Sequence, residues 1–240
     1  MDNGILSRMR TQLPDVLGKM RYKAVLTNEE RAKKLGIPQS TAITCVKPSG
    51  TVSQLVDSAS GIHARHNPYY IRTVRGDKKD PLTEFMKDQG IPCEDDVMNP
   101  HNAVFSFPMK ADSNAVFRDD MTAIEQLEIW KCYAEHWCEH KPSVTISVKE
   151  HEWVNVGNWC WNNFDTLSGI SFLPFSDHTY QQAPFQDIDK ATYEELASKM
   201  PENINWSELN KVLVDMYGQR KVRMIYQIMY QSYPNTNYLH

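Results

Sequence analysis

At 240 residues the chain is long enough for one large α/β domain, or two small ones, with a substantial buried core. Its 41% hydrophobic and 23% charged residues suit a globular protein, and a formal charge of −4 makes no electrostatic case for nucleic acid or an anionic membrane surface. The five cysteines, Cys45, Cys93, Cys132, Cys138 and Cys160, contain no CxxC pair, which argues against both a disulfide framework and a zinc knuckle.

The first twenty residues carry charges throughout and have no apolar leader core, and no later stretch approaches the roughly 18 apolar residues of a membrane span. A reducing, cytoplasmic setting is expected, with neither nucleic acid nor membrane as partner. Thr27 and Glu30 make a candidate capping box for a short helix, "NEERAKKL", which Gly36 would close and Pro38 would keep from continuing. Next, "TAITCV" (41–46) is β-branched and apolar on both sides, as a parallel strand covered on two faces requires. "DPLTEFMKDQG" has Asp80 as N-cap, Pro81 at the first helical position and Gly90 past the end. "AVFSFPM" (103–109) reads as a strand.

"DDMTAIEQLEIWKCYAEHWCEH" reads as a long helix that Thr122 and Glu125 can cap, with an apolar stripe of Ile124, Leu127, Trp130, Ala134 and Trp137. "SVTISV" (143–148), "EHEWVNVGNWCWNNF" (150–164) and "GISFLPF" (169–175) follow as strand, helix and strand. This alternation predicts an α/β fold with right-handed crossovers and a parallel sheet, open or closed into a barrel, with ligands at the carboxyl ends of the strands. Residues 212–240 are rich in Tyr, Met and Gln and fit the pattern less well.

The loop after the 41–46 strand, "KPSGTVSQL", stands at such an end. A helix start presents unsatisfied N–H groups and a partial positive charge, so it can accept an anion where the backbone comes close. Gly50 permits the approach, Ser49, Thr51 and Ser53 add hydroxyls, and Pro48 fixes the turn. It is not a Walker loop, which needs a second glycine and a lysine before Ser or Thr. The same residues also make good caps and turns, and on the residues alone both readings stand. Lys47 is a further anion contact only if its side chain turns toward the loop. Downstream, "GIHARHNPYYIRTVRGDKK" gathers His63, Arg65, His66, Arg72, Arg75, Lys78 and Lys79, which form either an anion pocket or a solvated loop and edge strand.

Cys132, His136 and His140 share one helical face while Cys138 points elsewhere, so a packed helix end fits better than a metal site. The tryptophans 130, 137, 153, 159 and 161 read as packing anchors.

Six stretches, "STAITCVKPSGTVSQLVDSASGIHARH", "YYIRTVRGDKKDPL", "EQLEIWK", "WCEHKPSVTISV", "EWVNVGNWCWNNFD" and "GISFLPFSDHTYQQAPF", resemble in order the C-terminal half of the catalytic barrel of monomeric, adenosylcobalamin-dependent (class II) ribonucleoside-triphosphate reductases. The resemblance covers about residues 28–210. It implies half of a ten-stranded α/β barrel over 1–211, followed by a divergent tail over 212–240. It also implies that Pro48, Ser49, Gly50, Thr51, Val52 and Ser53 cradle substrate phosphates, mainly through backbone N–H groups, with Lys47, His63, Arg65 and His66 as possible accessory anion contacts. Adenosylcobalamin is the implied cofactor, a ribonucleoside triphosphate the substrate, and a thiol such as thioredoxin the reductant of the complete enzyme.

The departures are as informative. The family's finger loop carries its radical cysteine in an Asn-Pro-Cys-Gly-Glu-like stretch, and no such stretch occurs in this sequence. None of the five cysteines matches a catalytic position, so no catalytic residue is assigned. The expectation is a piece that works with a complementary N-terminal half carrying the radical cysteine. The alternatives are a non-catalytic nucleotide-binding module and a remnant fragment.

Overall fold

The computed structural model describes residues 11–49, 52–175 and 181–217. The chain divides into two units, residues 1–69 with 110–178 and residues 70–109 with 179–240.

The first unit begins with α1, Leu13–Leu35, which has Pro14 at its start. The short helix expected over 28–35 is therefore the last third of a longer one. Thr27 does not cap it; its hydroxyl donates to the Lys23 carbonyl one turn back, which an uninterrupted helix allows. Gly36 does end it, in the left-handed conformation at φ 68°, with its own N–H and that of Ile37 closing on the last carbonyls. α2, Val52–Leu55, is a single turn. The helix Ala123–His136 and the strand Val144–Val148 supply most of the core.

The long helix expected over 119–140 is shorter. A 3-10 turn, Arg118–Asp120, precedes the α-helix Ala123–His136, which Thr122 and Glu125 cap reciprocally. Its face buries Leu127 and Trp130 completely, with Ile124, Ala134 and Trp137 packed partly against the same core. Two strands with a helix between them follow, Val144–Val148, Trp153–Asn162 and Ile170–Pro174. The strands pair in parallel from Val144↔Ile170 to Val148↔Pro174, as the alternation predicts. Val144, Ile146 and Val148 point into the core with Val156 and Trp159 of the intervening helix, while Thr145 and Ser147 are only half-buried. Gly169, just before the second strand, has φ 57°, and a Cβ there would lie 2.6 Å from the Pro142 carbonyl oxygen, so glycine alone fits.

The second unit holds a four-stranded sheet. Its strands are β1, Tyr69–Asp77; β2, Cys93–Asp95; β3, Asn102–Lys110; and β6, Phe185–Asp187, the parallel pair of the first unit being β4 and β5. The order is β2-β3-β1-β6, with β2 antiparallel to β3 and β6 antiparallel to β1. α3, Pro81–Asp88, has the expected Asp80 cap on the Leu82 N–H, and Gly90 follows it at φ 80°. The helices of the first unit are α4, Ala123–His136, and α5, Trp153–Asn162; α6, Lys190–Ser198, and α7, Trp206–Tyr217, complete the second. α7 packs on α3 through Phe85 and Trp206, whose rings lie 6.2 Å apart.

The fold is thus α/β with mixed sheets, and the single parallel sheet expected from the alternation is corrected on two points. The strand at 103–109 belongs to a sheet whose assigned pairs are antiparallel. The segment 41–46 joins no ladder, and several of its polar groups are taken by a side chain and a turn 90 or so residues away, as described below.

Candidate phosphate-binding site

The segment entering the 48–53 loop lies against the turn that follows α4. The Glu139 carboxylate, through Oε2, accepts from the Ile43 N–H at 2.8 Å and the Thr44 N–H at 3.1 Å, while the Thr44 hydroxyl, 3.3 Å from the same oxygen, donates its one proton to the nearer Trp137 carbonyl at 2.5 Å. In return the Glu139 N–H donates to the Thr44 carbonyl at 2.9 Å, and the Ser143 N–H to that of Val46 at 3.2 Å. Trp137 Nε1 donates to the Cys45 carbonyl at 3.3 Å. A strand needs a partner strand only because its N–H and C=O groups need partners, and here the N–H groups of Ile43 and Thr44 and the carbonyls of Thr44, Cys45 and Val46 have them. The N–H bonds from Ile43 and Thr44 hold the Glu139 carboxyl below the usual carboxylate range.

Beyond Pro48 the chain closes on itself. The Ser60 hydroxyl accepts from the Ser49 N–H at 2.7 Å and donates to the Ser49 carbonyl at 3.0 Å. The Ser49 hydroxyl accepts from the Ser53 N–H at 2.8 Å, one turn ahead, and the Ser53 hydroxyl donates back to the Ser49 carbonyl at 3.3 Å. Ser53 is buried, whereas Pro48 and Val52 are exposed. Gly50 and Thr51, both expected as phosphate contacts, lie outside the described residues.

The expected accessory groups have definite places. Lys47 is exposed, and its ammonium donates to the Lys141 carbonyl at 2.8 Å and the Ser143 hydroxyl at 2.7 Å. His63 bridges two parts of the unit: Nε2 accepts from the Thr145 N–H at 3.0 Å, which leaves the proton on Nδ1 for the Ser60 carbonyl at 2.8 Å. Arg65 is buried at 6% exposure, with Nη1 3.0 Å from Asp57 Oδ1 and Nη2 on the Asp57 carbonyl. It thereby fixes the left-handed residue, φ 46°, that ends the α2 turn. His66 is half-buried.

Arg72, Arg75 and Lys78 belong to the second unit and are engaged there. Arg72 reaches the Pro184 carbonyl and stacks 4.4 Å over the Phe185 ring. Arg75 pairs with Asp96 at 3.1 Å, and Lys78 with Asp95 at 2.6 Å.

Four contributors escaped the sequence reading: Thr44, Asp57, Ser60 and Glu139. Only Gly61 leaves a trace, since at φ 60° a Cβ would lie 3.1 Å from the Lys47 carbonyl oxygen, and a glycine after a Ser-rich stretch marks such a turn. Among the described residues, no three His, Cys, Asp or Glu side chains converge as a metal ion would need. Burial pushes the thiols of Cys132, Cys138 and Cys160 up, away from the nucleophilic thiolate. No helix among the described residues is long and apolar enough to cross a membrane. Among the described residues, the site is a set of serine hydroxyls at 49, 53 and 60 bonded to one another's backbone groups.

No protein-family model matches the chain. It is similar to the adenosylcobalamin-dependent ribonucleoside-triphosphate reductase of Lactobacillus delbrueckii subsp. bulgaricus, 30% identical over 202 residues, which cover 81% of this chain and 27% of that protein. The protein of the same description from Euglena gracilis is 32% identical over 181 residues, covering 74% of this chain and 25% of its own length. A crystal structure described as a B12-dependent, class II ribonucleotide reductase superposes with a TM-score of 0.74 at 27% identity, covering 84% of this chain and 29% of that one. The chain therefore spans about a quarter of the length of these relatives.

Proposed function

Because the homologues of this chain along four fifths of its length are adenosylcobalamin-dependent ribonucleoside-triphosphate reductases, we propose that it is the piece of such an enzyme that supplies the substrate-phosphate loop and part of the barrel wall. The reaction of the whole assembly is replacement of a ribonucleotide 2′-hydroxyl by hydrogen, with a dithiol such as thioredoxin as reductant. In this reading residues 1–211 form the C-terminal half of a ten-stranded barrel, 212–240 are a divergent tail, and the assembly works in the cytoplasm.

The observation that carries the reading is the loop itself. Pro48 to Ser53 lie within the homologous region, and the Ser49 hydroxyl accepts the Ser53 N–H in the place a phosphate oxygen would take. An arriving phosphate would exchange one acceptor for a charged one, which strengthens the bond. Gly50, Thr51 and Val52 would add backbone donors. The engagements of Lys47, His63 and Arg65 favour a role in holding the loop, with their charge near the phosphates as a secondary contribution; His66 would stand beside them.

Adenosylcobalamin enters through the relatives. When bound, it supplies an organic radical by homolysis of its cobalt–carbon bond. No residue of this chain is assigned to hold it. No catalytic role is assigned to any residue here, and the radical cysteine belongs to a complementary polypeptide. Two further observations favour such a partner. Among the described residues β5 pairs with β4 alone, and a two-stranded sheet is marginal by itself. α5 buries Val156 and Trp159 on one side yet exposes Val154 at 83% and Trp161 at 80% on another, and a helix apolar on both sides ordinarily lies between two layers.

The test is reconstitution. The chain is mixed with the N-terminal part of a reductase from the same genome and assayed for deoxynucleotide with adenosylcobalamin, a ribonucleoside triphosphate and a dithiol. Product from the mixture and from neither part alone supports the proposal. Triphosphate binding by the chain alone, with no complex and no product from the mixture, would replace it with a non-catalytic binding module.

A further inference from the structure

We propose that Cys45 and Cys138 form a reversible disulfide, which joins the segment 41–46 covalently to the turn after α4 when the chain is oxidised. Nothing in it depends on what the neighbouring loop binds.

The two cysteines are far apart in the sequence, and the bonds made by their neighbours bring them together. The Glu139 N–H donates to the Thr44 carbonyl at 2.9 Å, and the His140 N–H to the same oxygen at 3.4 Å. From the other side, the Thr44 hydroxyl donates to the Trp137 carbonyl, and Trp137 Nε1 to the carbonyl of Cys45 itself at 3.3 Å. By standard backbone dimensions the bond between Thr44 and Glu139 alone keeps the α-carbons of residues 45 and 138 within about 7 Å, the span a disulfide can bridge. The thiols also sense each other. Burial pushes the Cys138 thiol up; the Val46 N–H opposes this, and the Cys45 thiol, near enough to act on it, adds to the rise.

Access separates the two. Cys45 is half-buried and Cys138 is 7% exposed, so an oxidant from solution meets Cys45 first. The co-reactant is a small-molecule disulfide of the glutathione class. The Cys45 thiolate attacks one of its sulfurs, breaks its S–S bond and releases one thiolate, which takes up the proton that Cys45 gave. Cys138 then loses its proton and attacks the Cys45 sulfur, displacing the second small thiol. The protein gives up two electrons and two protons, and the small disulfide gains them as two thiols. Because the second step is intramolecular, proximity offsets the small thiolate fraction of a buried cysteine. A dithiol reverses both steps. Reduced, the segment is held to the turn by hydrogen bonds alone; oxidised, it cannot leave.

The experiment is oxidation of the full 240-residue chain with oxidised glutathione under native conditions, as wild type, Cys45→Ser and Cys138→Ser. Remaining thiols are alkylated and the digest is read by tandem mass spectrometry, which separates Cys138 from Cys132 on the same stretch. Wild type is expected to lose the thiols of Cys45 and Cys138 together, to yield a peptide pair joining them, and to recover both in dithiothreitol. Cys138→Ser should instead trap Cys45 as its mixed disulfide with glutathione, about tenfold above the wild-type level, because nothing resolves it. Cys45→Ser should leave Cys138 reduced. If the buried Cys138→Ser does not fold, the wild-type cross-link and Cys45→Ser decide the matter between them. A wild-type chain whose Cys45 stays reduced or persists as the mixed disulfide would overturn the proposal. So would a Cys138 joined to another cysteine, or a link between 45 and 138 that forms only in urea.

Discussion

Glu152 is a buried carboxylate whose two oxygens hold two separate segments. Its side chain is buried at 7% exposure between two element starts. Oε1 accepts from the Ala123 N–H at 2.9 Å, one of the orphan donors at the start of α4, and Oε2 from the Lys149 N–H at 2.9 Å, just beyond β4. Ala123 is fully buried, so its N–H has no water to turn to when the carboxylate is removed. Each hydrogen bond to a charged acceptor contributes about 1.5–3 kcal/mol. Glu152→Ala should therefore destabilise the first unit by about 3–5 kcal/mol. Glu152→Gln is the sharper test. Its amide offers one acceptor where two are needed and turns an NH2 group toward the other N–H, so it should still lose about 1.5–3 kcal/mol. Urea denaturation followed by tryptophan fluorescence reads this directly, because Trp130 and Trp159 lie in the same core. A thermal midpoint lowered by roughly 2–4 °C per kcal/mol would accompany it. An E152Q chain as stable as wild type would refute the reasoning, since one oxygen would then have sufficed.

Three further outcomes are expected. Gly169→Ala places a Cβ 2.6 Å from the Pro142 carbonyl oxygen at φ 57°, and should lower stability by about 2–3 kcal/mol in the same urea assay, against little change for Gly157→Ala, where a Cβ meets nothing within 4 Å. Asp96 is held below the usual carboxylate range, first by the Met98 N–H and then by Asn102 and Arg75, against the opposing effect of burial. A depressed native value stabilises the fold above the unfolded carboxyl value of about 3.9 and is lost as pH falls through the native value, so stability should decline from pH 5 toward pH 3 less steeply in Asp96→Asn than in wild type. Equal slopes would exclude this role. Arg65→Lys cannot reach both the carboxylate and the carbonyl of Asp57 as the guanidinium does, and tripolyphosphate affinity should drop about fivefold, with limited proteolysis between residues 54 and 66 accelerated.

What the sequence disclosed follows from how far apart the cooperating residues are. The cap of α3 by Asp80, the reciprocal pair Thr122 and Glu125 and the stop at Gly36 each act within four residues, and each could be named in advance. The parallel pairing of β4 and β5 was also legible, because a strand, a helix and a strand of that length leave few ways to close. The beginning of α1 was missed because Thr27 looks the same to local pattern whether it caps a helix or lies inside one; only its bond to Lys23 decides. Likewise "TAITCV" has the composition of a strand whether its N–H groups meet another strand or a carboxylate. That carboxylate is 95 residues from Thr44.

The two glutamates make the same point about chemistry. In the sequence Glu139 and Glu152 are both single acidic residues beside an element boundary, and nothing local separates them. In the fold one oxygen of Glu139 accepts two backbone N–H groups from a single segment, while the two oxygens of Glu152 hold two separate segments. A single amide oxygen could serve the first arrangement, whereas the second needs two acceptors. Which oxygen meets which N–H thus separates a residue that holds one segment from a residue that joins two, which composition and spacing could not do.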